Sequence, residues 1–239
     1  RSLGEGLGLS GDADCYVIYR DSIRNLEFIR NSRELCERGL FTELGAYQYY
    51  VFLDFREVRD DATRRYASLC SYLNGRGVPS IEEAMREVFL QPVHGPYKEL
   101  VNAGMFSYLL DARGETPDPA ALDEVESKML VLLRAVKAFT GGNGDEATVA
   151  REVRERLEAA LRLAEPLPRY VAATRLPEDD WSWYVLFGWL FTHALGRMSA
   201  DPDPAETSRA WIDEWLLGRI LAGGFTELGN DENAAWWAA

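Results

Sequence analysis

Histidine is scarce in this sequence, and its scarcity excludes much of the usual catalytic chemistry. The two histidines are His94, which stands between prolines, and His193, which lies in an apolar segment. They have neither the spacing of metal ligands nor that of an acid–base pair. The motifs G-x-S-x-G, G-x-x-x-x-G-K-[ST] and H-E-x-x-H are missing as well. The sequence therefore predicts no catalytic residue, no metal site and no cofactor.

Basic residues are also few, with 26 lysines and arginines against 39 aspartates and glutamates, a formal net charge of −13. Such a chain repels phosphates and anionic lipid surfaces, so no nucleic acid and no membrane are predicted as partners. The most apolar stretch, 183–195, is too short to cross a bilayer. The three cysteines, an odd number without C-x-x-C spacing, favour a reducing, cytoplasmic location.

What the chain does contain begins with a β pattern. Aromatic and β-branched runs at 15–19 and 26–29 flank a polar segment, which predicts a β-hairpin. A third run, 47–55, alternates in polarity and predicts a strand with one side against a core. The residues expected on that side are Tyr47, Tyr49, Val51, Leu53 and Phe55. A small antiparallel β element is thus predicted within residues 14–58.

From Asp60 onward the hydrophobic period changes from two to about 3.6 residues, which predicts helix for the remainder. A helix that begins near residue 80 should end at Pro92, because proline cannot donate a backbone hydrogen bond. Two long periodic segments, 119–140 and 145–164, are separated by a glycine-rich turn and predict an antiparallel helical hairpin. The predicted fold class is mainly α, in a helical bundle or hairpins, with a small antiparallel β element at the N-terminus.

Composition changes after a proline-containing stretch at 166–177, since all seven tryptophans lie beyond residue 180. Helices are expected there at 180–197 and 204–221. The predicted domains are a small β element at 1–58, a helical domain at 59–176, and a tryptophan-rich, acidic helical module at 177–239 that is truncated at its end. Because the first residue is an arginine and the last helix is interrupted, we expect this chain to be part of a longer polypeptide.

Acidic residues directly precede aromatic residues at the start of the third predicted domain. The candidate carbohydrate-binding residues are Glu178, Asp179, Asp180, Trp181, Trp183 and Tyr184. Aromatic rings can stack on the C–H faces of a sugar while carboxylates accept hydrogen bonds from its hydroxyls, a combination that small-ligand sites use. The alternative is a helix whose acidic N-terminus interacts with the helix dipole and whose rings are buried.

The segment 46–57, AYQYYVFLDFRE, resembles the closing strand of the small β-domain that follows the catalytic barrel in alpha-amylase-type glycoside hydrolases. Further segments resemble the earlier strands of that domain or a helical extension found in certain large bacterial members, and these are 16–19, 26–30, 75–83 and 92–96. The likeness to the β-domain covers residues 14–58. The catalytic motifs of the family have no counterpart in this sequence.

The resemblance implies that the active site lies upstream of Arg1. This chain would then be a non-catalytic accessory region of an enzyme that acts on starch- or glycogen-type α-glucans, with the upstream barrel of the same polypeptide as its partner. The residues alone leave another interpretation open, a helical scaffold that binds proteins, because the apolar seam of 122–139 is long and a catalytic set is missing. A self-contained enzyme that uses carboxylates is a third interpretation.

Overall fold

The computed structural model describes residues 2–163 and 180–229. Within these ranges the structure is mainly helical with a small antiparallel sheet near the N-terminus, and the predicted fold class is confirmed. No helix in the described ranges combines the length and apolarity that crossing a bilayer requires.

Two compact units make up the chain, and they divide between Gln91 and Pro92. The sequence placed its first boundary after residue 58, whereas the sheet and the helix that follows it share one hydrophobic core in the structure. Burial of apolar side chains from both elements joins them in the first unit. The predicted boundary after residue 176 lies outside the described residues and stays a prediction.

Three antiparallel strands form the sheet of the first unit. They are β1 (Cys15–Asp21), β2 (Leu26–Asn31) and β3 (Phe52–Arg59), in the spatial order β2-β1-β3. The pairing of β1 with β2 runs from Tyr16 opposite Asn31 to Asp21 opposite Leu26, which confirms the predicted hairpin. No named strand follows β3 in the described ranges, as the change of hydrophobic period predicted.

The third strand differs from its prediction. It begins only at Phe52, and four residues expected to face the core are exposed, namely Tyr47, Tyr49, Val51 and Leu53. Asp54 has a left-handed backbone (φ 57°) where the register between β1 and β3 shifts. Such a bulge breaks the alternation of side chains along a strand. As a result Phe52 and Phe55 pack on Tyr19, with ring centroids 5.3 and 5.2 Å away.

Both faces of β1 are covered. Tyr16 and Ile18 pack in one cluster with residues of the helices that follow the sheet, and Val17 and Tyr19 pack in another with Leu35. This two-sided burial explains why β1 is a continuous apolar run.

Helices account for most of the remaining described residues. They are α1 (Leu3–Leu7), α2 (Ser32–Arg38), α3 (Arg65–Leu73), α4 (Ile81–Leu100), α5 (Ala103–Asp111), α6 (Pro119–Thr140), α7 (Glu146–Leu161), α8 (Trp181–His193), α9 (Pro204–Glu214) and α10 (Leu217–Glu227), with a 3-10 helix at Leu195–Met198. The pair α6 and α7 is the predicted hairpin. Its apolar faces are buried, and Arg154 of α7 pairs with Asp123 of α6 at 2.9 Å.

Helix α4 continues through Pro92 and Pro96, so the prediction that Pro92 ends it is wrong. Two interior prolines together cost about 6 kcal/mol, because each removes a hydrogen bond and crowds the preceding turn. Three side chains in the same stretch, Val93, Tyr97 and Leu100, are completely buried. Their burial stabilises the folded chain by about 5–9 kcal/mol, which offsets that cost.

Candidate functional site

The aromatic candidates lie in the first turn of α8, which begins at Trp181. Asp180 occupies the position before the helix, its side chain is exposed, and its carbonyl accepts hydrogen bonds from the N–H groups of Trp183 and Tyr184. Glu178 and Asp179 lie outside the described residues. The location of Asp180 agrees with an acidic helix N-terminus.

Both tryptophan rings of this candidate site are in the core of the second unit. Trp181 is 4% exposed, and its ring centroid is 4.8 Å from that of Phe225 in an edge-on arrangement. Trp183 is 2% exposed, and the guanidinium of Arg113 lies 3.8 Å from its ring centroid. Neither ring presents a face on which a sugar could stack. The burial therefore supports the core interpretation over the sugar-binding one.

Tyr184 is only partly buried, and its ring stacks on Phe106 with centroids 6.0 Å apart. Burial raises the pKa of the Tyr184 hydroxyl above its ordinary value, and the negative charge of Asp180 adds to this effect. Of the four described candidates, the two tryptophans are buried, and only Asp180 and Tyr184 are accessible.

The two histidines both take part in packing. His94 is buried, and its Nε2 lies 2.7 Å from the carbonyl oxygen of Trp215. His193 stacks on Trp189 with ring centroids 4.7 Å apart. In these arrangements His94 forms a buried hydrogen bond and His193 forms a ring contact.

Three possible metal-ligand atoms lie close together on Asp12, Asp14 and Cys15 in the first unit. The guanidinium of Arg59 forms ion pairs with both carboxylates. A cation is therefore already present at this cluster, and the group is explained as a structural ion-pair network.

A run of exposed apolar side chains that the sequence analysis missed leads into the edge strand β3 of the first unit. Six large apolar side chains are exposed there, and we call them the 41–53 surface: Phe41, Leu44, Tyr47, Tyr49, Val51 and Leu53. Phe41 is 82% exposed and Tyr49 is 66% exposed. Most of this stretch, up to Val51, has neither helix nor strand structure. The alternating polarity of 47–55, which predicted a buried side, also marks most of this surface. Alternation separates the two sides of a strand but does not indicate which side faces the core.

Comparison with known proteins identifies no relative, because no protein-family model, no curated protein and no solved structure matches this chain.

Proposed function

We propose that this chain is a non-catalytic accessory region of a bacterial alpha-amylase-type glycoside hydrolase that acts on starch- or glycogen-type α-glucans. In this proposal the 41–53 surface packs against the catalytic barrel of the same polypeptide. The whole protein is located in the cytoplasm. The observation that carries the proposal is the exposure of large apolar side chains in the segment whose sequence resembles the post-barrel β-domain.

The exposure of these side chains points to a partner because covering them would be energetically favourable. Burying one large apolar side chain stabilises a structure by about 1.5–3 kcal/mol, and aromatic residues are enriched among those that dominate protein interfaces. The strand into which the surface leads, β3, pairs only with β1 among the described residues, so its other edge is available to a neighbour. A contiguous partner domain would cover both the side chains and the strand edge.

The engagement of both histidines in packing supports a non-catalytic role, as does the pairing of the Asp12 and Asp14 carboxylates with Arg59. The three cysteines are free thiols, which suits a reducing compartment.

A second candidate function is a protein-interaction scaffold with no carbohydrate role. The same 41–53 surface favours the scaffold function, because an exposed apolar surface can also be an interaction site for a separate protein. The two functions differ in the partner: a barrel encoded in the same reading frame in one case, and a separate protein in the other.

The reading frame that encodes the chain provides the first test. We expect a catalytic barrel directly upstream, and a frame without one would overturn the proposal. The barrel and this chain, expressed as separate polypeptides, should then co-purify. The double variant Tyr47→Ser, Tyr49→Ser should weaken co-purification, whereas Tyr72→Ser, an exposed tyrosine of α3 outside the 41–53 surface, should not.

Activity provides the second test. The purified chain should release no reducing sugar from soluble starch. Release that disappears when one carboxylate of the chain is replaced would show that the chain is itself an enzyme, and the accessory role would be rejected.

A further inference from the structure

A cleft of about 230 Å³ lies between α8, α9 and α10 in the second unit. Its lining includes Gly188, Trp189, His193, Arg209, Leu221 and Phe225. The volume exceeds the roughly 150 Å³ that holds a benzene molecule in an apolar cavity and is below the roughly 300 Å³ at which sites for drug-sized ligands begin. The cleft therefore has room for a single ring.

Trp189 provides an aromatic surface at this cleft. It is 51% exposed, whereas the other tryptophans of the described residues are buried, namely Trp181, Trp183, Trp211 and Trp215. The imidazole of His193, one helical turn later, stacks nearly parallel to the indole at an interplanar angle of 15°. This stacking holds the indole in one orientation, so that less rotamer entropy is lost when a ligand binds.

The floor of the cleft is apolar. A side chain at Gly188 would approach Leu221 Cδ2 to 2.7 Å, so the glycine lets Leu221 lie against α8. The two hydroxyls in the lining are already used by the protein. Thr192 donates to the Gly188 carbonyl, and Ser208 accepts from the N–H of Gly196.

The charged group of the lining is compensated. Arg209 pairs with Glu206 at 3.0 Å, and both side chains are exposed. A charged ligand would lose its hydration on entering the cleft, and the Arg209 charge that could compensate for this loss is already paired. Binding of a charged ligand is therefore unfavourable. A neutral ligand avoids this cost and can still accept hydrogen bonds from the Arg209 guanidinium.

We propose that this cleft binds one pyranose ring of a neutral oligosaccharide. One C–H face of the ring stacks on the indole face of Trp189 that His193 leaves free, and the hydroxyl edge faces Arg209. The chemistry of the cleft specifies a neutral, hydroxylated ring with one apolar face. That the sugar is an α-glucan rests on the proposed function.

Saturation-transfer NMR with maltotriose as the probe tests this proposal on the purified chain. For contact with a single ring we expect weak binding, with a dissociation constant on the order of 1 mM. We expect Trp189→Ala to weaken binding about tenfold or more and Ala205→Trp, which fills the cleft from its exposed rim, to abolish it. The matched control is Tyr72→Ala, which removes an exposed aromatic ring from the first unit, outside the 41–53 surface, and should leave binding unchanged.

The outcomes separate this inference from the proposed function. If the wild-type chain binds neither maltotriose nor cellobiose, or if Trp189→Ala binds maltotriose as well as wild type does, the cleft is not a sugar site. If both sugars bind and both depend on Trp189, the cleft assignment stands and preference for α-glucans is rejected. If maltotriose binds through Trp189 and the reading frame encodes no barrel, the cleft assignment stands and the accessory role falls.

Discussion

The Nε2 atom of His94 lies 2.7 Å from the carbonyl oxygen of Trp215, although the two residues are far apart in the sequence. Because a carbonyl can only accept, Nε2 carries the proton and donates. Trp215 ends α9, and Leu216 is left-handed (φ 55°), so the helix predicted over 204–221 is interrupted here and becomes α9 and α10. The imidazole supplies a buried donor at that interruption.

His94→Ala is expected to lower the free energy of unfolding by about 1–3 kcal/mol, because it leaves a buried carbonyl without this donor. His94→Gln should lose less, since its side-chain amide can donate to the same oxygen. Urea denaturation measures both values. Equal losses for the two variants would contradict a hydrogen-bonding role.

The two tryptophans Trp183 and Trp189 lie on the same helix, and truncating them should destabilise the chain to different extents. Trp183→Ala removes a fully buried ring and should cost about 3–5 kcal/mol. Trp189→Ala removes a half-exposed ring with its stacking on His193 and should cost only about 0.5–1.5 kcal/mol. Thermal melting compares them, and similar melting temperatures for the two variants would rule out this assignment of core and surface.

Gly196 and Gly223 provide a matched pair of glycines. A Cβ at Gly196 would lie 2.0 Å from the carbonyl oxygen of Pro204, a backbone atom, whereas one at Gly223 in α10 meets no atom of the described residues within 4 Å. Gly196→Ala should therefore destabilise the chain by about 3 kcal/mol through overpacking. Gly223→Ala should stabilise it by about 0.5–1 kcal/mol, because alanine is the better helix former. Chemical denaturation would refute this contrast if both variants shifted in the same direction.

Glu57 should make the first unit sensitive to acid. The hydroxyl of Ser32 donates to its carboxylate, as do the N–H and hydroxyl of Ser10, and these hydrogen bonds hold the pKa of Glu57 below its usual 4.5. A carboxyl whose pKa is depressed by folding stabilises the fold above its unfolded-state pKa, and this stabilisation is lost as the pH falls through the folded-state value.

We therefore expect Glu57→Gln to lose stability at neutral pH and to show a flatter decline of stability over the range from neutral pH to below the usual pKa of 4.5. Glu43→Gln, an exposed glutamate of the same unit, is the control and should follow the wild-type profile. Urea midpoints across this range measure the effect. A Glu57→Gln profile parallel to that of the wild type would exclude the linkage.

Elements that depend on local patterns were predictable. The β1–β2 hairpin and the α6–α7 hairpin follow from periodicity and turn residues, because each pairs segments that are neighbours in the chain. Strand β3 was not predictable in detail, because a bulge at Asp54 interrupts its alternation. The continuation of helix α4 through Pro92 was not predictable either, because the burial of Tyr97 overrides the local signal.

The candidate carbohydrate site likewise combines a feature that the sequence predicts with one that it does not. The grouping of acidic and aromatic residues near residue 180 is a property of the sequence, but whether a ring lies inside or outside depends on which helix packs against it. Phe225 covers Trp181, whereas the half-exposed Trp189 lines the cleft between three helices.

The sequence by itself determined the class of fold, the position of the β element and the main helical hairpin, because hydrophobic period and turn propensity act over a few residues. Only the tertiary structure decided which apolar side chains are buried. Burial depends on contacts between segments far apart in the chain, as between Trp181 and Phe225, and so does the exposure of the 41–53 surface and of Trp189.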